Sequence, residues 1–454
     1  MTADATRNEP NSGASTPPCS TDPSHPPFPT GLVLAPFRAV RYDCRVAGPL
    51  DNLTSPPYDV IDAATGAALE QASAHNVVRL ILPRPDDHHV DQYARAAATL
   101  RSWRGEGALV PDADAGLYVY EQSDPISGHV QRGLLGALAL TPAQDGIVLP
   151  HEKTMAGPVA DRLALYTAVE ADLEPIFLLY AGGGPASRAV ASVSSSPALV
   201  DTVLPDGLRH RLWQLTQPEL LADIAADLRP RTAVIADGHH RYATYLRRQQ
   251  AAHEAGRGPG PWDRGLTFLV DATAFGPQVH AIHRVLPGQD TAELSRRAQA
   301  GMSVADLDGL SLQDGLLRLE RAGQAGPAFL LADGSATTMR LLSHPDPARL
   351  AGALPPQRSA QWKALDVSVL HSYLVADLWG LKDDVVSVGY EHDVQAAVAT
   401  AGRTSGTAVL LNPTPVEAVT QVAAGGERMP RKSTLFTPKP RSGLVIRDHL
   451  VERT

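Results

Sequence analysis

The sequence predicts an α/β fold that tends to α+β, on three observations. Apolar runs of strand length alternate with helical stretches along the chain. The 454 residues, 43% of them hydrophobic, suffice for two or three cored domains. No apolar run approaches the roughly 18 residues of a membrane helix. Forty basic against forty-nine acidic side chains give a formal charge of -9, so no overall basic field would draw the chain to nucleic acid or acidic membrane. The two cysteines, Cys19 and Cys44, supply neither a disulfide framework nor a cysteine zinc site and suggest a reducing, cytoplasmic setting.

Met1 to Gly31 is rich in Pro, Ser, Thr and Asn, reads as a disordered tail and carries no secretory signal pattern. Order is expected from the apolar strand Leu32 to Arg38. At Pro56-Pro57 the backbone is held extended, which presents Tyr58 and Asp59 at a fixed place. Asn76 to Leu82 reads as a strand, Asp86 to His89 as a solvated loop, and Val90 to Arg104 as an amphipathic helix with Ala96, Ala97, Leu100 and Trp103 inward. Leu117 to Gln122 and Val130 to Leu140 form a hairpin. Further strands are expected at Glu174 to Tyr180, Arg209 to Trp213, Leu266 to Asp271 and His280 to Val285, with a helix from Glu219 to Leu228. Ser303 to Ala322 reads as helix, Pro327 to Leu342 as a hairpin turned at Asp333-Gly334, Asp366 to Trp379 as helix and Thr407 to Leu411 as strand. Thr414 to Glu417 has the form of a capping box with proline at the first helical position. Met429 to Gly443, rich in Pro, Lys, Ser and Thr with Phe436 as an anchor, is expected to dock back on the body.

The organising stretch is Arg231 to Tyr242, a buried strand that turns through Asp237-Gly238 into a helix expected to run to about Ala255. Unpaired amides and the helix dipole make such a turn an anion site. His239, His240 and Arg241 add donors, and Arg241 could hold two phosphate oxygens. The plainer reading has Asp237 as an ordinary N-cap. Consecutive histidines on a helix point roughly 100 degrees apart and cannot chelate one metal. A second polar cluster, Leu149-Pro-His-Glu-Lys-Thr154, follows a strand. It lacks the second histidine of a zinc protease, which leaves Glu152 as a proton acceptor and Lys153 as a phosphate partner. Only five of the forty basic residues are lysine: Lys153, Lys363, Lys382, Lys432 and Lys439. Where arginine is the default, each lysine hints at a compact, rotatable charge. No Walker-type Gly-Lys-Ser/Thr pattern occurs.

Taken in order, Pro36-Phe-Arg38, Pro56-Pro-Tyr-Asp-Val-Ile61, Asn76-Val-Val-Arg79, Leu117 to Gln122, Leu149 to Thr154 with Asp161-Arg162, Ala236 to Tyr242, Leu365 to His371 and Met429 to Thr434 resemble the prokaryotic family called domain of unknown function 1015, sometimes labelled ParB-like. Gly238-His-His-Arg-Tyr-Ala243 is also similar to the phosphate-holding turn of the ParB and sulfiredoxin superfamily, some of whose members are free-serine kinases. That resemblance implies a ParB/sulfiredoxin-like mixed-sheet domain over 32–290, an α+β domain over 291–428 and a terminal segment, 429–454, that lines the pocket. It implies phosphate binding by Gly238, His239, His240 and Arg241; the residues themselves add Asp237 at the turn and Lys432, Ser433 and Thr434 of the terminal segment.

The expected function is a nucleotide-dependent phosphotransferase using ATP or ADP, with magnesium, on a small hydroxyl metabolite such as a hydroxy amino acid. Glu152, Asp59 and Lys153 would be its catalytic groups. Two alternatives use the same site: a phosphoester hydrolase, and a non-catalytic, nucleotide-responsive regulatory protein. No helix-turn-helix follows the motif, which argues against DNA binding.

Overall fold

The computed structural model describes residues 30–85, 91–384 and 386–453, so the tail up to residue 29 and the loop Asp86 to His89 lie outside the described residues. The chain is a mixed α/β protein built on two large sheets. In the nine-stranded sheet the order runs Val148–Leu149, Ala233–Asp237, Ile176–Tyr180, Arg264–Asp271, Val130–Ala139, Leu117–Ser123, Arg209–Leu215 and Val200–Val203, with Leu34–Ala35 added on Val130–Ala139. Val148–Leu149 runs parallel to Ala233–Asp237, and Ile176–Tyr180 parallel to Arg264–Asp271, while the remaining pairs are antiparallel. Its central strands are buried along nearly their whole length because helices and the second sheet cover both faces.

Register at one edge brings the polar motifs together. Val148 and Leu149 lie opposite Ala233 and Val234 in parallel, so the His151 to Thr154 loop leaves the sheet at the same end as the Gly238 turn. Asp237 lies opposite Phe177 on the antiparallel neighbour, which puts Glu174 and Pro175 at that end too.

The second sheet has six antiparallel strands: Ser303–Asp306, Met339–Ser343, Phe329–Ala332, Thr407–Leu411, His283–Leu286 and Gly389–Glu391. The terminal segment is a strap across the body. Leu435–Thr437 pairs with Gln278–His280, Ser442 bridges Ser55, Ile446 bridges Val40, and Arg447–Asp448 pairs with Ala171–Asp172. Its end is pinned by the buried Asp172, which accepts from Arg447 Nη1 at 2.8 Å and Arg248 Nη1 at 2.9 Å.

Three local expectations need correction. Asn76 to Leu82 is not a strand. Asn76 accepts from Val78 N–H at 2.9 Å and donates to Asn52 O at 2.8 Å, which folds Val78–Ile81 into a short helix buried on nearly every side. An all-apolar run gives strand and buried helix the same signature. Ser303 to Ala322 divides into the edge strand Ser303–Asp306 and the helix Leu312–Gly323, capped by Ser311. Thr414 caps nothing: its hydroxyl donates to Ser433 O at 3.3 Å, and the helix Val416–Ala424 begins after Pro415 without a side-chain cap. Asp377 lies within the π-helical stretch Leu370–Leu378, which continues Asp366–Val369.

Candidate functional site

Gly238 is the hinge of the site. With φ of 93° it lies in the left-handed region, and a Cβ there would meet the Arg241 guanidinium at 3.2 Å, so backbone and packing both call for glycine. It serves as N-cap of the helix His239–Glu254, while Asp237 does not cap. The Asp237 carboxylate goes instead to Arg241 at 2.5 Å and to Lys439 Nζ at 2.7 Å. The first helical hydrogen bond is from Tyr242 N–H to Gly238 O, and among the described residues no acceptor serves the amides of His239, His240 and Arg241. These amides and the positive end of a 16-residue helix dipole open at the same point.

Arg241 does not reach out to a ligand. It is 1% exposed, donates from Nη1 to Pro175 O at 2.7 Å and pairs with Asp237, forming the floor under the turn. Burial works against its charge, but Glu174, Asp237 and Asp59 outweigh burial and raise its pKa. The expected two-oxygen phosphate grip is therefore replaced by a structural role. Beneath it the buried Glu174 accepts from Tyr58 N–H at 3.0 Å and from Ser442 Oγ at 3.1 Å, tying the paired-proline loop to the strap.

The histidines are clamps. His239 Nε2 accepts from His151 N–H at 3.2 Å, which leaves its proton on Nδ1, 4.0 Å from Glu152 Oε2. Burial drives its pKa well below the ordinary value, and the nearby His151 and Arg428 add to the effect, so it stands neutral. His240 Nε2 accepts from Met155 N–H at 3.0 Å, fastening the other end of the same loop. His151, edge-on to His239 with 4.6 Å between ring centres, is pushed down to about 4 by burial and shares a 3.1 Å hydrogen bond with Thr434 Oγ1.

Of the expected catalytic groups, Glu152 and Asp59 lie at this turn. Burial raises the Glu152 pKa and the negative charge of Asp237 supports the rise, while Lys432 and Lys439 oppose it. Asp59 is bound by Lys439 Nζ at 2.8 Å. Burial would raise its pKa, but Lys439 and Arg241 hold it below the usual value. Lys153 is exposed, with no ion pair among the described residues. In the strap, Thr434 touches His151, whereas the Ser433 hydroxyl is spent on Pro430 O at 2.5 Å. Lys432 is exposed at φ of 53°, and its charge is felt by Glu152 and His240.

The central cation is Lys439, absent from the expected site residues. It joins Asp59 to Asp237, and burial, which would lower its pKa, is outweighed by those two carboxylates. Its sequence signal is there: one of five lysines, set between Pro438 and Pro440. Among the described residues, no group of three or more His, Cys, Asp or Glu side chains is placed to hold a metal ion.

Residues 34–368 match the family described as "Protein of unknown function (DUF1015)", and the chain belongs to that family. No curated protein matches it. Among solved structures it is similar to a free serine kinase in complex with AMP, at 16% identity and a TM-score of 0.33 over 67% of this chain and 89% of that one. A mutant of the kinase in complex with ADP gives 14% identity and a TM-score of 0.33 over 67% and 90%. A C-terminally truncated SbnI from Staphylococcus aureus gives 10% identity and a TM-score of 0.33 over 70% and 89%.

Proposed function

We propose that this DUF1015 chain is a nucleotide-dependent phosphotransferase acting on a small hydroxyl metabolite. The observation that carries the proposal is the meeting of unshared helix amides, a carboxylate of raised pKa and a lysine ammonium shared by two aspartates at one turn. Phosphates would accept from the amides of His239, His240 and Arg241, with the positive charge of Lys439 and Lys432 beside them. Glu152 would take the acceptor's hydroxyl proton as the acceptor oxygen attacks the terminal phosphorus and the nucleotide one phosphate shorter, ADP from ATP or AMP from ADP, leaves. A carboxylate whose pKa is raised by its surroundings is the better base for that step. His239, neutral, accepts from the His151 amide and so would fix the loop that carries Glu152.

Asp59 and Asp237 already converge on one cation, Lys439. They are the residues that would hold magnesium once that ammonium swings onto phosphate, and the metal would then supply charge neutralisation. The ParB/sulfiredoxin resemblance of the turn and a small hydroxyl metabolite as acceptor remain parts of this proposal. A second reading is favoured by the double pairing of Lys439: a nucleotide that draws it off the two carboxylates would loosen the strap, a regulatory switch without turnover.

Thermal unfolding with ATP, ADP and CTP, with and without magnesium, tests the binding. A nucleotide should raise the midpoint in both the wild type and Glu152→Gln, while Glu152→Gln should lower transfer by roughly 100-fold or more. No stabilisation by any nucleotide overturns both readings, and stabilisation with no transfer to any hydroxyl acceptor leaves the switch.

A further inference from the structure

Beside the charged cluster, the paired-proline loop, the turn before Arg209–Leu215 and the strap line an open cavity of about 240 Å³. That is just below the roughly 300–1,000 Å³ of pockets for drug-sized ligands, which suits a metabolite of a few carbons. Pro56, Pro57 and Val60 form one wall and Leu208 and Leu435 another, all apolar. Three charged side chains, Asp206, Lys439 and Arg441, line the rest together with Thr437 and Pro438. Lys439 thus faces the cavity while its ammonium holds Asp59 and Asp237, so cavity and helix turn share a wall.

Arg441 makes this a built site. It is 6% exposed, donates to Asp206 at 3.2 Å and to Thr54 O at 3.3 Å, and its Nε is buried without a partner. A buried donor left unpaired is costly, and an incoming acceptor relieves it. Lys439 has two of its three N–H groups on Asp59 and Asp237 and Arg441 is paired with Asp206, so the lining offers a ligand the remaining donors of these two cations rather than a net positive charge. The carboxylates are already committed: Asp206 to His210 at 3.1 Å and to Arg441, Asp59 and Asp237 to Lys439. A ligand's anionic group therefore finds donors here, but an ammonium finds no unshared carboxylate among the described lining residues. Another hollow, about 260 Å³ beside Arg41 and Cys44, lacks this feature because Arg41 is paired with Asp112 through Nε at 2.9 Å.

We propose that the cavity is the acceptor subsite and that it takes a short-chain hydroxy acid without an amino group, its carboxylate on Arg441 and Lys439 and its alkyl body against Pro56, Pro57 and Leu208. Only the word acceptor rests on the phosphotransferase reading; binding in the cavity does not.

Titration calorimetry on the full chain with 2-hydroxyisovalerate, its methyl ester, threonine and isobutyl phosphate tests this. The hydroxy acid should bind at least tenfold more tightly than the ester, threonine or the phosphate monoester. Val60→Trp, at a rim position 50% exposed, should weaken binding at least tenfold without moving the thermal midpoint. Arg441→Gln should abolish the preference over the ester. No binding by the hydroxy acid, equal binding by its ester, tighter binding by threonine or isobutyl phosphate, or binding unchanged in Val60→Trp each overturns the assignment. ADP stabilisation measured on the same samples separates the two proposals. Hydroxy-acid binding with no effect of any nucleotide leaves the cavity standing and removes the phosphotransferase; a nucleotide effect with no hydroxy-acid binding does the reverse.

Discussion

His151 illustrates what a single residue contributes here. Its ring is 3% exposed, it meets His239 and Thr434, and burial holds its pKa down to about 4. Unfolded, it would titrate near 6.5. A base with a depressed folded pKa contributes stability that is complete above the unfolded value and is lost as pH falls toward the folded one. Stability should thus fall by on the order of 3 kcal/mol between about pH 6.5 and pH 4, with His239, shifted the same way, steepening the loss. Denaturant midpoints across that window should show the slope, and His151→Asn should flatten it; a flat wild-type profile refutes the assignment. The same residues show where sequence reading stops. Residue types and their order pointed to the turn, but the direction of a side chain is decided by packing. Arg241 turned inward because Pro175 O and Asp237 lie beneath it, and Lys439 took the central place because prolines on both sides hold it there.

At the scale of elements, the strand–glycine–helix unit was legible because each part has its own local signal: a buried apolar run, a glycine and an amphipathic helix. The observed helix, His239–Glu254, ends one residue short of the expected Ala255. The hairpins Leu117–Ser123 with Val130–Ala139 and Phe329–Ala332 with Met339–Ser343 were equally plain from alternating patterns and turn residues. Elements whose identity depends on distant partners were not: Val78–Ile81 follows Asn76, whose side-chain amide donates to Asn52 O and Thr54 O, far off in sequence. Gly238 is the sharpest test of the unit. Alanine there must adopt φ of 93° and place a Cβ 3.2 Å from the Arg241 guanidinium. Gly238→Ala should cost about 1–3 kcal/mol in urea unfolding and weaken nucleotide stabilisation. Full stability with unchanged nucleotide response would show that the turn tolerates a side chain and that its geometry is not critical.

For the whole molecule, the question is whether two sheets mean two independent units. We propose the division near residue 290, with the strap returning over both parts, as a division of topology and not of stability. One apolar cluster runs continuously from Tyr120, Phe177 and Phe268 of the nine-stranded sheet to Phe329, Leu331 and Val409 of the six-stranded one. It also takes in Tyr373 and Leu374 of the π-helical stretch and Phe436 of the strap. A chain this long would by default unfold in stages. A shared core removes the default, because opening either sheet exposes apolar surface on the other, at roughly 25 cal/mol per Å². Calorimetry should therefore show one endotherm with van't Hoff and calorimetric enthalpies in agreement. Phe436→Ala, which leaves a cavity where the strap meets this cluster, should lower the single midpoint at a cost of about 3–5 kcal/mol without splitting it. Two resolved transitions in the wild type would mean that the shared cluster does not couple the sheets. A split appearing only in Phe436→Ala would mean that the strap, and not the sheet-to-sheet contact, carries the coupling.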